Sequence, residues 1–414
     1  MTSPSRVEPG YVEIKKLILN TGVGEPVNLT QMATDVNIYE SIFQPYVYAE
    51  IVLVDSLGLA NKFKLDELTV DIEFTVPGVE VSAKYTLSVM DRKGDQTGNQ
   101  DKTKVYTMAC ISKEIDDKSA NDAGRYFVKA NLGNLVGATL EALGSKKNIL
   151  VEPTDGIVDV KLPNVKPFQL IDWARRRALS LTHESHSYVF FENKYGYRFT
   201  TIEKLFEDGV ARIGDKIFQY DSAVNIDVAG TNWRNILYRD AVSLGKGLKQ
   251  QLLEGNLAIA RELNLEQCKY TYTEKRETDY NFATLDPNGF TSTTNRKNKF
   301  KDTKPSERMM VTSDEDDVGY KDKILALQAF IPRLLSNISR VYIYGDPSIT
   351  AGDVIKCNIP DVDGLTDKKT EYSKTLSGNY LVSKCRHMIS LAGPPTYTQA
   401  LEILKDGYGQ GKVD

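Results

Sequence analysis

Three histidines are all the imidazole chemistry that 414 residues hold, and two of them sit together. His183 and His186, in THESHS, are three positions apart with Glu184 between them. On a helix that spacing would offer two metal ligands beside a carboxylate base. The segment, however, lies between a helical pattern and a strand pattern, no HExxH is present, and no third ligand stands nearby. A polar loop with exposed imidazoles is the plainer reading. His387 falls in an alternating run, SGNYLVSKCRHMIS, which makes it a packed or interface residue rather than a base.

Carboxylates are plentiful but poorly spaced for chemistry. DVDGLTDKKTE (Asp361 to Glu371) has acids before and after a glycine, as a calcium loop does, yet Gly364 comes two positions too early for the D-x-[DN]-x-[DN]-G order. The acidic run SDEDD (Ser313 to Asp317), near the basic RKNKFK (Arg296 to Lys301), repels itself into solvent. Arg175 to Arg177, beside Trp173, offer phosphate contacts, but they follow an amphipathic stripe and read as a solvated face or a subunit salt-bridge surface. GxSxG, GxxxxGK[ST] and GxGxxG are all missing. Composition is compatible with a carboxylate-pair glycosidase, but nothing isolates one acid in an aromatic pocket. The sequence therefore predicts no catalytic, cofactor-binding or metal-binding residue.

Cysteines 110, 268, 357 and 385 form no CxxC pair. Cys357 and Cys385 occupy neighbouring predicted strands, which invites a disulfide. A loop closing near Pro360 and Ser377 would instead set Cys357 opposite Tyr380, so free, half-buried thiols in a reducing compartment are expected. Apolar content of 41% and charged content of 26% describe an ordinary soluble globular protein. A net charge of −4 argues against general nucleic-acid or anionic-membrane binding. MTSPSRVEPGYVEIKK has no apolar stretch for a signal peptide, and no run approaches the roughly 20 residues of a membrane span, so no membrane insertion is expected. Twenty-two tyrosines against two tryptophans suit wet interfaces and sheet faces.

The elements that would position these residues are mostly strands. Five alternating or apolar runs (YVEIKKLIL, YVYAEIVLVD, LTVDIEFTV, KYTLSVMD and KVYTMACIS) predict a first small sheet or barrel over residues 1–116, with Asp91 to Asp101 as a solvated hairpin loop. Residues 117–206 read as an α/β module. A helix over Ala123 to Gly144 ends at a glycine, a second opens at Pro167, and SYVFFEN and YRFTTIEKL make a hairpin around Lys194-Tyr195-Gly196. TNWRNILYRDAVSL looks helical, stopped by Gly245 and Gly247, whereas KYTYTEKRE favours a strand. Residues 251–320 are a polar insertion, and Lys321 to Ser339 is an amphipathic helix kinked at Pro332. It feeds four short strands in a row (VYIYGD, VIKCNIP, SGNYLVSKCRHMIS and TYTQALEIL) that read as an antiparallel meander. Residues 207–250 with 321–406 thus form a second barrel domain, and 407–414 a flexible tail. KLDELTVDIEF (Lys64 to Phe74) and TAGDVIKCNIP (Thr350 to Pro360) share a turn and an acid before an alternating strand, the mark of one barrel used twice. The fold class expected is β-rich α+β, two similar small antiparallel barrels with α/β insertion modules.

This order of parts resembles a known family. YESIFQPYVYAEIVLVDSLGLANKFKLDELTVDIEF (Tyr39 to Phe74) is similar to the opening barrel of the baseplate hub proteins of contractile-tailed bacteriophages, on Asp55, Leu57-Gly58 and Glu67. VKPFQLIDWARRRAL with SYVFFENKYGYRFTTIEKL resembles their second module. GDVIKCNIP with SGNYLVSKCRHMIS resembles their second barrel, on Gly352, Asp353, Gly378, Tyr380 and His387. The polar Thr278 to Lys321 region has no quotable counterpart. The resemblance implies a homotrimer whose six barrels form a ring between a trimeric central spike protein and the first tail-tube or tube-initiator ring. It further implies a channel for the tape measure protein and for DNA passing without specific binding, in a virion baseplate assembled in the host cytoplasm, with no cofactor. Two alternatives remain open: a spike-base component of a type VI-like secretion apparatus, and a peptidoglycan hydrolase of a tail particle acting through His183 and Glu184.

Overall fold

Period-2 alternation, the commonest signal in this chain, is realised as strands. The computed structural model describes residues 9–22, 24–62, 68–97, 104–116, 125–162, 165–214, 216–220, 234–244, 257–264, 268–276, 306–312, 334, 337–360, 372–373 and 376–405. The front part holds β1 (Glu13–Asn20), β2 (Val27–Asn28), β3 (Ala33–Ser41), β4 (Tyr48–Asp55), the helical turn α1 (Leu59–Lys62), β5 (Thr69–Thr75), β6 (Ser82–Thr97) and β7 (Lys104–Ser112). The middle holds α2 (Lys113–Asp116), β8 (Arg125–Ala130), α3 (Leu132–Ala142), β9 (Ile149–Val151), β10 (Thr154–Asp155), β11 (Val158–Leu162), α4 (Pro167–Arg175), β12 (Leu179–Ser180), β13 (Tyr188–Asn193), β14 (Gly196–Thr201) and α5 (Ile202–Ala211). After these come β15 (Ile217–Gln219), β16 (Ile236–Leu244), β17 (Leu257–Asn264), β18 (Lys269–Arg276), β19 (Ser306–Thr312), β20 (Asn337–Tyr344), β21 (Val354–Asn358), β22 (Gly378–Ser390) and β23 (Thr396–Lys405).

The front and terminal strands share one sheet of thirteen strands, running β16-β20-β23-β22-β3-β4-β7-β6-β5-β1-β2, with β21 paired to β22 and β15. The joint is β22. One of its edges carries β23 over Leu381–Ser390, and the other carries β21 over Gly378–Leu381 and then β3 over Lys384–Ser390. At the far end of β1, Tyr11 makes a single antiparallel bridge to Thr396, and the Tyr397 amide donates to the Gly10 carbonyl at 2.6 Å. The front core accordingly contains Ile389 and Tyr397 from the C-terminal hairpin beside Val36, Ile51, Ile72 and Phe74. A second core lies among β16 and β20–β23, around Val341, Ile355, Tyr380 and Leu401. The module has its own core of Leu135, Val136, Ile171, Phe190 and Phe199. It meets the terminal strands through Phe191, Leu205 and Phe206 packed on Val354, Leu381 and Leu404.

Several sequence expectations are corrected here. Ala33–Ser41 is a strand that the five-run reading passed over, because Thr34, Asp35 and Asn37 dilute its alternation. Asp91 to Thr97 continue β6 instead of looping. Register shifts after Val89 and after Lys93 absorb the polar residues while they stay on the ladder. Arg125–Ala130 is a strand paired with β11, so the helix expected from Ala123 begins only after Asn131, whose side chain accepts the Asn134 amide. Its end is as read, with Gly144 at a φ of +71°. α4 does open on Pro167. The strand expected through Leu205 turns helical at Thr201, whose hydroxyl caps the Lys204 amide at 3.2 Å.

Ile236–Leu244 is a strand rather than a helix, since pairing with β20 overrides a weak helical period. Asn337 to Ser339, given to the kinked helix, belong to β20. The meander is rewired, because β20 pairs β23 rather than β21, and β21 takes β15 in parallel. The residue opposite Cys357 is Gly378, not Tyr380, which faces Ile355. Cys110, Cys357 and Cys385 are free and fully buried, not half-buried. Within the 251–320 insertion, β17, β18 and β19 form a small sheet of their own. Glu67, Gly245, Gly247, Arg296 to Lys301, Ser313 to Asp317, Pro332, Asp361 to Glu371 and residues 407–414 lie outside the described residues.

Candidate functional site at the seam between the sheets

The inward face of β3 carries Val36, Ile38 and Glu40, all buried, so one carboxylate stands where the pattern calls for an apolar side chain. Opposite it in register is Cys385, and two residues further along the same strand is His387, also inward. β6 supplies Tyr85, β23 supplies Tyr397 and Gln399, and the turn before β21 supplies Thr350 and Ala351. The turn of the β13–β14 hairpin supplies the Lys194 amide. Five further parts of the fold therefore gather around one buried group on β3.

Glu40 is fully provided for. Oε1 accepts from the Tyr85 hydroxyl and the Lys194 amide, each at 2.9 Å, and Oε2 accepts from the Thr350 hydroxyl and from the Ala351 amide at 3.0 Å. Burial alone would push its carboxyl upward. The His387 ring and the donors from Thr350 and Ala351 outweigh that and hold it below the usual carboxylate value. His387 Nδ1 meets the Tyr397 hydroxyl at 2.6 Å and the Gln399 side-chain nitrogen at 3.3 Å, while Nε2 lies 3.4 Å from both Tyr85 and Cys385. Gln399 is oriented by its Oε1, which accepts the Asp346 amide at 2.8 Å, so its nitrogen donates and Nδ1 accepts. That assignment leaves the ring proton on Nε2. Gly345 gives the Tyr397 ring its room: a Cβ there would lie 1.9 Å from the ring.

Glu40, Cys385 and His387 bring a carboxylate, a thiol and an imidazole within 4.8 Å of one another, the trio among the described residues that suits a metal ion. Its atoms are already committed. Both Glu40 oxygens carry two donors, Nε2 bears a proton, and burial first of all pushes the Cys385 thiol far above its ordinary pKa. A cation would have to displace these bonds one by one. The arrangement suits tying chain segments together.

The sequence-predicted groups lie elsewhere. His183 Nδ1 contacts Glu152 at 3.0 Å and Nε2 contacts Glu207 at 3.3 Å, while His186 donates from Nδ1 to the Ala178 carbonyl at 2.8 Å. Glu184 is exposed, with a φ of +50°, so it does not complete a site with them. Ser180, His183 and Glu152 look at first like a hydrolytic set. Yet serine and carboxylate both approach Nδ1, at 3.5 and 3.0 Å, so the imidazole cannot relay a proton between them. Glu152 instead binds Ser180, Thr200, Thr201 and His183, which oppose the effect of its burial and hold it below its usual value. His387 is a packed residue, as expected from its strand. The Asp55 turn is formed, with the Leu57 amide donating to Asp55 Oδ1 at 3.0 Å and Gly58 at a φ of +72°. Sequence reasoning missed Glu40, Glu152 and the paired Glu114 and Glu192 on Lys147. The available signal was an acid at an inward position, as in VNIYESI.

No protein-family model matches the sequence, and no curated protein does. Solved structures do match in fold. The 43 kDa tail protein of prophage MuSo2 from Shewanella oneidensis is similar at a TM-score of 0.57 and 8% identity, covering 94% of this chain and 98% of that one. The tail protein from Neisseria meningitidis MC58 is similar at a TM-score of 0.55 and 9% identity, covering 95% and 97%. Across nearly its whole length, this chain shares the fold of these two tail proteins.

Proposed function

We propose that this chain is the structural hub of a contractile-tail baseplate, a trimer that joins a three-fold spike to a six-fold tube and leaves a channel for the tape measure protein and DNA. The observation that carries the reading is the end-to-end likeness to two tail proteins, each covered almost completely. The arrangement of the sheets supports it. A front set of strands and a terminal set, joined through β22, give each copy two β-rich units in fixed relation. Three copies of such a chain would present six units, with edges that ring closure pairs. The domain division proposed is a front unit (1–116), an α/β module (117–206), a terminal unit (207–250 with 321–406) and an insertion (251–320). The front core's use of Ile389 and Tyr397 couples the first unit to the third.

In this reading the chain is not an enzyme and holds no cofactor or metal. The seam is a structural clamp, and the net charge of −4 lets DNA pass without adhering. Light scattering on the purified chain tests the hub: a mass near three chains, with rings in micrographs, is the expected result. A strict monomer at high concentration, with no rings, overturns it. A hydrolase reading needs peptidoglycan cleavage by the purified chain that is lost in Glu184→Gln, and no cleavage is expected.

A further inference from the structure

The outward face of the seam has its own order. Read across the strands in register, one row runs Tyr238 (β16), Tyr342 (β20), Ala400 (β23), Arg386 (β22), Tyr39 (β3) and Tyr48 (β4). Tyr238 and Tyr342 have ring centroids 5.8 Å apart, and Tyr39 and Tyr48 5.7 Å apart. The Arg386 guanidinium lies 5.1 Å above the Tyr39 ring, held there by Asn37 Oδ1 at 3.0 and 3.2 Å. Ala400, the one small side chain in the row, leaves a depression of about 340 Å³ between Tyr342 and Arg386. Its rim adds Arg340, Lys384 and Glu402 from the adjoining row.

We propose that this depression is a docking site for an acidic side chain presented by a partner protein. Three cations (Arg340, Lys384 and Arg386) line it with one outward carboxylate, Glu402, while the Glu40 carboxylate beneath is turned into the seam, on a chain whose total charge is −4. Lys384 already neutralises Glu402 at 3.0 Å, so Arg340 and the pre-oriented Arg386 remain to receive a carboxylate. Tyrosine and arginine around a small pocket are the residue types that carry most of the energy in protein interfaces. The face favours protein over nucleic acid. Glu50, which accepts from the Tyr39 and Tyr48 hydroxyls at 3.3 and 2.9 Å, sets a carboxylate beside the row where phosphates would run, and the Arg386 guanidinium covers the Tyr39 ring on which a base would stack. The site draws on four strands from both halves of the chain, and it does not depend on the hub reading.

The test uses the full chain with three probes: extended decapeptides carrying Glu or Asp flanked by Leu or Tyr, the same peptides with Lys in place of the acid, and single-stranded oligo-dT. Binding is followed by fluorescence polarisation. The acidic peptides are expected to bind and the lysine peptides not. Ala400→Trp, which fills the depression, and Arg386→Gln should each weaken binding about tenfold or more, equivalent to about 1.4 kcal/mol. Circular dichroism and light scattering on the same samples check that the variants fold and keep the parent's mass. No binding of acidic peptides, binding unchanged in Ala400→Trp, or oligo-dT binding that Ala400→Trp abolishes would each overturn the proposal. So would a change of oligomeric mass in the variants with peptide affinity intact, which would assign the face to contacts between copies.

Discussion

Glu40 at the seam and Glu192 at the end of β13 are 2% and 3% exposed, yet the fold treats their charges in opposite ways. Glu40 has two donors on each oxygen, and its carboxyl is held below the ordinary value despite burial. Glu192 has one cation, Lys147 at 2.7 Å, which it shares with Glu114 at 2.6 Å, and the Ser112 hydroxyl beside it. Its Oε2 finds no partner among the described residues, and burial raises its carboxyl in spite of the lysine. Depth alone does not set the charge of a buried acid; the donors and charges facing it decide whether burial is offset. The seam therefore uses its carboxylate as a clamp. The cleft beside Lys147 holds one that folding merely tolerates.

Removing the clamp should have the largest effect. Glu40→Ala strands two amides and two hydroxyls inside the protein and is expected to cost about 3–5 kcal/mol, read as a lowered urea midpoint. A loss under about 1 kcal/mol would show the donors have other acceptors. Glu152→Gln comes next, at about 1–2 kcal/mol, because the Thr200 and Thr201 hydroxyls and the Thr201 amide, all on Oε2, can still bond the amide oxygen, while the Ser180 hydroxyl on Oε1 loses its acceptor.

Acid should separate the two carboxylates. Glu40 has a lowered folded value, so its contribution is complete above the unfolded value of about 4.3 and is lost as pH falls through the folded one. The stability gap between parent and Glu40→Gln should therefore close on acidification; a gap constant down to pH 3 would contradict the assignment. Glu192 has a raised folded value, so its contribution is complete below about 4.3 and is lost as pH rises through the folded one. Glu192→Gln should then be the smallest change, neutral or up to about 1 kcal/mol stabilising at pH 7, with no gain at pH 4. A clear destabilisation at pH 7 would mean that the bond to Lys147 outweighs burial.

Much of the architecture was legible because strands announce themselves locally. The alternation in Tyr48–Asp55 and Thr69–Thr75 is nearly unbroken, and Pro167 marks a helix start by its fixed φ. What stayed hidden is what pairing decides. Ile236–Leu244 carries a helical period that β20 overrides, and Ala33–Ser41 has too many polar residues to read as a strand until β4 and β22 flank it. Glu40 and Cys385 face each other across roughly 350 positions of chain, a distance no local rule spans. The site was half visible, since an acid inside VNIYESI breaks the pattern in a way that asks for buried partners. Their identity comes only from the register of β22 on β3.

That register also governs the order in which the molecule can be made. Synthesis delivers β3, β4, β5 and β6 long before Ile389 and Tyr397, which complete their core. Until the β22–β23 hairpin arrives, the nascent front half must wait with its apolar face and the edge of β3 unfinished. Such late, distant closure slows folding and exposes sticky surface to chaperones and neighbouring chains. A front core sealed by β22 and β23 is therefore finished only after those distant strands have been made, and partial chains that stop before them lack its closing residues, Ile389 and Tyr397.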